Sequence, residues 1–368
     1  MVKIKKQISG LYLSSVLGNL SLTGAWVAIL AARGFSLPQI GFAETVFHIT
    51  SLIVEMPSGV LADVFGRKNM LIISSIMRMI SNVIMIFSGS FASICLSMVF
   101  CAMSFNFASG SGDALAYDSM KEAGAADQFE RYESSLLTIY RLCGGASTLC
   151  AGFALSIGYK LAYGMDLLLI SLQILVLCSL YEAGDRGLGI SPGQSLLRKT
   201  ADGFADVVRQ SARFMTHSPR AFRLMLCNSL VGAIDILLLF FLQAKLPERG
   251  IPGWALGIAL LFMEMGGIVG AKLMPKCKGL RYRTVFLLTF ALVLMGVLAE
   301  HSRFYLIMIV GGFLSAIGDD ALQVRTIAVL QDMFPSEQRA TLTSLESFIF
   351  SVIMIVLSPL AGIVFSYW

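Results

Sequence analysis

Carboxylates standing inside long apolar stretches are the residues of this chain best placed to do chemistry. They are Glu44, Glu55, Asp113, Asp235, Glu264, Asp319, Asp320 and Glu346, against the bases Arg78, Arg141 and Arg325. Holding a charge in hydrocarbon costs at least about 2.5 kcal/mol, so such groups pair with each other, meet a cationic group or carry protons. Acids outnumber bases here, so they cannot all be paired. Asp235 and Glu264 fall nearest the midpoints of their segments, where a functional role is favoured over a polar contact between helices. Asp319 joins them as a proton or substrate candidate. Asp113 and Arg141 occupy matching depths in neighbouring segments and read either as a structural salt bridge or as part of a functional site. Glu55, just before Pro57, reads as structural.

The elements that must position these residues are membrane spans. Of 368 residues 56% are hydrophobic and only 14% charged, with mean hydropathy +0.77, more apolar side chain than a soluble core of this length would need. Backbone groups in lipid must be satisfied within their own segment, which selects helices. Eleven stretches are long enough to span, at about residues 8–31, 39–62, 70–89, 92–117, 135–157, 160–182, 221–243, 253–275, 283–300, 303–328 and 339–364. The first is too long for a cleaved leader despite Lys3, Lys5 and Lys6, and another span follows closely. Placing the N-terminus in the cytoplasm puts most of the 28 Lys+Arg on that side. The net charge of +5 therefore needs no nucleic-acid partner. Cys95, Cys101, Cys143, Cys150, Cys178, Cys227 and Cys277 are scattered without metal or redox spacing, and His48, His217 and His301 lie on separate segments.

Between the second and third stretches, Gly59, Leu61, Asp63, Gly66, Arg67, Lys68 and Leu71 interrupt the apolar pattern with charge and glycine. Position by position they match the signature loop of the major facilitator superfamily, which this chain resembles. The resemblance implies an all-α polytopic fold of two pseudo-symmetric six-helix halves. The expected division is an N-terminal half at 1–185, a cytoplasmic central loop at 186–220 and a C-terminal half at 221–368 with five visible spans, the last helix being absent. An internal echo fits two related halves, Gly112-Asp113-Ala114-Leu115 recurring as Gly318-Asp319-Asp320-Ala321-Leu322. The central connection carries Arg186, Arg198, Lys199, Arg209, Arg213 and Arg220, a composition for water, and 196–214 has helical spacing suited to a membrane surface.

In the motif, Gly59 and Gly66 are expected to let the flanking helices approach and turn sharply. Asp63 is expected to accept from the N-terminus of the eleventh span near Gln338, Arg339, Ala340 and Thr341, and Arg67 to be held by Asp118. In the family this loop locks the halves on the cytoplasmic side. Val64 stands where a basic residue is usual, and the second half keeps Gly266, Gly267 and Gly270 before Lys272, Lys276, Lys278, Arg281 and Arg283 but has no aspartate there.

The resemblance places spans one, four, seven and ten around a central cavity. Asn106, Gly110, Asp113 and Tyr117 would share one face of span four, and Asn228, Gly232 and Asp235 one face of span seven. Asn19, Ser21, Thr23 and Trp26 would contribute from span one. The function implied is secondary active transport of a small organic solute, as proton-coupled efflux of an amphipathic or cationic compound by a plasma-membrane monomer with no cofactor. The alternatives are sugar or nutrient import, or a non-transporting receptor, scramblase or assembly factor of the same fold. Nothing suggests ATP hydrolysis, since GxxxxGK[ST] does not occur, and no nucleophile–base pair suggests an enzyme.

Overall fold

A computed structural model describes residues 2–183, 209, 218–277, 279–333 and 339–367. Most of the expected central-loop residues, among them Arg186, Arg198, Lys199 and Arg213, lie outside that range, as do Lys278, Gln338 and Trp368. Every regular element among the described residues is helical. In chain order these are α1 (Val2–Asn19), α2 (Trp26–Ala32), α3 (Leu37–Phe65), α4 (Arg67–Phe87), α5 (Phe91–Ala108), α6 (Ser111–Glu122) and α7 (Phe129–Leu149). They continue with α8 (Ala151–Ile157), α9 (Tyr159–Cys178), α10 (Pro219–Glu248), α11 (Gly253–Leu273), α12 (Tyr282–Glu300), α13 (Tyr305–Met333) and α14 (Arg339–Ser366).

Nine spans are long and apolar enough to cross a bilayer among the described residues, or ten if the bent pair α7 and α8 is one span. The sequence pattern gave eleven. The difference arises at span one, expected as one helix over 8–31, which is broken between Asn19 and Trp26 into two pieces. Span four also departs from expectation. It breaks at Ser109–Gly110, where Gly110 takes φ 70, a left-handed conformation that only a residue without Cβ enters cheaply. Asn106 and Asp113 therefore stand on two helices, and the continuous stripe read from their spacing is interrupted.

The chain divides into two compact units. The first comprises Met1–Gly24, Val46–Ser147 and Ile157–Val207; the second comprises Ala25–Thr45, Thr148–Ser156 and Val208–Trp368. The first is centred on Leu11, Leu115, Ala116, Met120, Tyr132 and Leu177 from α1, α6, α7 and α9. The second is centred on Val231, Val285, Val293, Ala321 and Leu322 from α10, α12 and α13. Leu142, Leu168, Leu175, Leu298 and Leu306 are exposed, as side chains turned to lipid must be.

Within the second unit Pro359 lies inside α14. Lacking an N–H, it frees the carbonyl of Ile355 one turn earlier. Thr45 Oγ1 donates to that carbonyl at 3.1 Å, repairing the lost bond from α3. Gly266 and Gly270 of α11 face the carbonyls of Phe313 and Ile317 on α13, an approach a Cβ would block. Glycines that the sequence pattern assigned to a worn second copy of the motif thus pack two helices together.

Candidate functional site

In the first unit the motif turn has no loop at all. α3 ends at Phe65, Gly66 takes φ 86, and α4 starts at Arg67. Such a helix start leaves amide N–H groups without partners. Glu182, just beyond α9, supplies them: Oε1 accepts from Arg67 N at 2.8 Å and Oε2 from Lys68 N at 3.0 Å. Lys68 Nζ in turn donates to the carbonyls of Cys178 and Leu180 at 3.1 and 2.6 Å, a cation at the C-terminal end of α9. Arg67 Nη1 stands 2.6 Å from Asp118 Oδ2. One turn is thereby tied to the ends of spans four and six. Glu182 is absent from the sequence reading, although it is the acid at the end of span six and so at the depth of the motif.

The side chains of Asp63 and Arg339 lie outside the described residues, and with them the expected contact between Asp63 and the eleventh span. Gly59 departs from expectation. A Cβ there would meet nothing within 4 Å, so no close approach requires a glycine. Gly66 is the glycine that the turn demands.

The break in span one is a second polar centre of this unit. Asp166 of α9 is 1% exposed and accepts from Ser21 Oγ at 2.7 Å, Leu22 N at 2.8 Å, Thr23 N at 3.3 Å and Thr23 Oγ1 at 2.5 Å. Ser147 Oγ accepts from Ser21 N at 2.9 Å and donates to the Asn19 carbonyl at 3.3 Å. Arg78 caps the carbonyl of Gly18 at the end of α1. The backbone groups orphaned by the break are met by spans three, five and six. Asp166 escaped the sequence reading; an acid seven residues into a span was the available signal. The Asn19 side chain is folded back on its own helix, donating to the Ser15 carbonyl at 2.8 Å.

Span four places its polar residues differently from a substrate stripe. Asn106 Nδ2 donates to Ser51 Oγ at 3.0 Å and to the Ala102 carbonyl at 2.8 Å, joining α5 to α3. Asp113 sits in the first turn of α6, where a negative charge complements the helix dipole. It is exposed, as is Arg141, and no ion pair joins the two among the described residues.

In the second unit the carboxylates stand along intact helices. Asp235 on α10 is 4% exposed and lies within electrostatic reach of Asp319 and Asp320, beside the hydroxyl of Ser315 on α13. Asp319 faces α10: a Cβ on Gly232, one turn before Asp235, would come 3.1 Å from Asp319 Oδ1. Asp320 points instead toward Gly267 on α11. Asp235 Oδ1 and Ser315 Oγ are both buried, and the Ser315 hydroxyl stands where it can donate to the Asp235 carboxylate. Nearby, Asn228 Nδ2 donates to Glu346 Oε1 at 2.8 Å. Lys245 is taken up elsewhere, paired with the fully buried Glu300, which His301 Nδ1 also approaches at 3.0 Å. Glu264 is exposed and accepts from Thr148 Oγ1 at 3.1 Å. Trp26 packs edge-on against Phe240 at 5.7 Å between ring centroids.

The sequence profile of the Major Facilitator Superfamily matches residues 8–299. The chain belongs to that family. It is therefore a multi-pass membrane protein with the fold of a transporter family. A curated relative, the uncharacterized MFS-type transporter YxaM of Bacillus subtilis (strain 168), is 34% identical over 86 residues. That match spans 23% of this chain and 22% of YxaM. The nucleoside transporter NupG is similar in fold at TM-score 0.66, with 14% identity over 99% of this chain and 91% of that one. A bacterial homolog of the human lysosomal transporter Spinster, inward-facing and unoccupied, gives TM-score 0.67 and 17% identity over 97% and 80%. A D-xylose-proton symporter gives 0.63 and 10% over 97% and 89%.

Proposed function

We propose that this family member is a secondary active transporter that moves a small organic solute by alternating access. In this reading it exports an amphipathic or cationic compound in exchange for protons. The observation that carries the proposal is the group formed by Asp235, Asp319 and Asp320. These acids lie within spans seven and ten and within electrostatic reach of one another, and the lysine of α10 is paired with Glu300. Such carboxyls can alternate between a charged form, able to meet a cationic group, and a proton-bearing form. Arg67, Asp118, Lys68 and Glu182 serve the same cycle in this reading, keeping the motif turn stiff enough to act as one piece of a cytoplasmic lock. Asp63 would be its remaining member.

Import of a nutrient is the second reading, favoured by the fold similarity to a nucleoside transporter and to a D-xylose-proton symporter. Purified protein in liposomes with an imposed pH gradient, offered organic cations, nucleosides and pentoses in parallel, tests both. Gradient-dependent movement of a cationic compound supports export. Movement of a nucleoside or pentose instead replaces it with import, and no movement of any solute removes transport.

A further inference from the structure

Two turns between membrane helices carry basic residues, and they use them differently. At the start of α4 the cations are taken up inside the protein, Arg67 by Asp118 and Lys68 by the carbonyls of Cys178 and Leu180. Between α11 and α12 they are left outside. Lys272, Lys276, Arg281 and Arg283 are all exposed, and no carboxylate pairs with any of them among the described residues. The sequence offers none nearby, since no Asp or Glu occurs between Glu264 and Glu300. Like charges held this close repel one another, and an anion lying over them relieves that repulsion.

The turn is also shaped. Leu280 N donates to the Cys277 carbonyl at 3.0 Å, and Arg325 Nη2 on α13 donates to the Leu280 carbonyl at 3.1 Å, which fixes the chain just before Arg281. Among the cations stand two apolar side chains, Leu273 and Leu280, 46% and 39% exposed. A preference for basic residues on one side of a membrane accounts for the charge but not for leucines set among it. An anion joined to hydrocarbon fits both: its phosphate oxygens accept from ammonium and guanidinium groups, and its chains lie against the leucines.

We propose that this turn of the second unit binds an anionic phospholipid, with Lys272, Lys276, Arg281 and Arg283 around the headgroup and Leu273 and Leu280 against the acyl chains. With the N-terminus in the cytoplasm, the lipid is one of the inner leaflet, where anionic headgroups concentrate. A lipid held there ties the end of α11 to the start of α12, whatever solute the protein carries.

Fluorescent phosphatidylglycerol, titrated onto the purified full chain in micelles of an uncharged detergent, tests this. Saturable binding is expected, at least about tenfold tighter than that of the matching phosphatidylcholine and weakened by salt. Arg281→Gln combined with Arg283→Gln should raise the apparent dissociation constant by about tenfold or more, since each cation near an anionic surface contributes about fivefold. Removing the same charge from the first unit, by Lys121→Gln with Arg131→Gln, should leave it unchanged. Leu273→Ser with Leu280→Ser keeps every charge and should still weaken binding. All these side chains are exposed, so no substitution removes a core contact. Equal affinity for the two lipids overturns the site, as does equal weakening by the two charge variants or full binding by the leucine variant. Displacement of the lipid by inorganic phosphate at the lipid's own concentration overturns it as well, because a plain anion site would then suffice.

Discussion

The two units treat their intramembrane charges in opposite ways. In the first, charged groups go to places where a helix is interrupted. Arg78 and Asp166 serve the break in span one, Asp113 stands in the first turn after the break in span four, and Glu182 caps the helix that follows the motif. In the second, spans seven and ten run unbroken as α10 and α13, of 30 and 29 residues, and their acids have no backbone ends to serve. A buried charge that satisfies a helix end is architectural; one beside an intact helix needs another explanation, and a mobile cation or proton supplies it. The echo between Gly112-Asp113 and Gly318-Asp319 makes the contrast sharp, because one glycine–aspartate pair opens a helix and the other lies inside one.

The comparison is most exposed at Asp166. Removing it by Asp166→Ala leaves the Leu22 N–H without its acceptor and the Ser21 and Thr23 hydroxyls with only each other, and a buried group without a partner costs about 1–3 kcal/mol. The variant should therefore lose most of its thermal stability in detergent, read as a fall in melting temperature and in monodisperse yield. A variant as stable as the parent would mean that the break does not depend on this residue. A smaller loss is expected for Glu182→Ala, at about 0.5–2 kcal/mol, the usual cost of deleting a helix N-cap acceptor. Asp118→Asn should cost about 1 kcal/mol or less, because Arg67 is 36% exposed at its side chain. If Asp118→Asn proves more damaging than Glu182→Ala, the motif turn is held chiefly by the ion pair and not by its cap. The least effect should come from Glu264→Gln, whose amide oxygen can still accept from Thr148. Unchanged gradient-driven transport is the expected reading, and its abolition would move the coupling site to α11.

Much of the fold was legible because hydrophobic length is a long-range signal that survives without detailed packing. The helix breaks were not. Span one interleaves Asn19, Ser21, Thr23 and Gly24 with Leu20, Leu22 and Ala25, but that run does not say that Asp166, more than a hundred residues later, accepts its freed N–H groups. The Arg67–Asp118 contact could be read in advance because both residues sit at span ends of the same depth. Glu182, an acid at the end of span six, stands at the same depth and is legible by the same reasoning. Asp235 and Asp319 were each visible as charges in apolar segments. Their convergence required the facing of α10 and α13, which the glycine at 232 permits and the sequence alone does not show.

In the proposed cycle the acids of the second unit carry the charge. Gradient-driven accumulation and exchange at equal concentrations, compared for Asp235→Asn in liposomes, separate that role from a structural one. Accumulation should be abolished while exchange stays largely intact and the protein remains as stable as the parent, because exchange needs no net release of the coupling cation. Full accumulation by Asp235→Asn would contradict it.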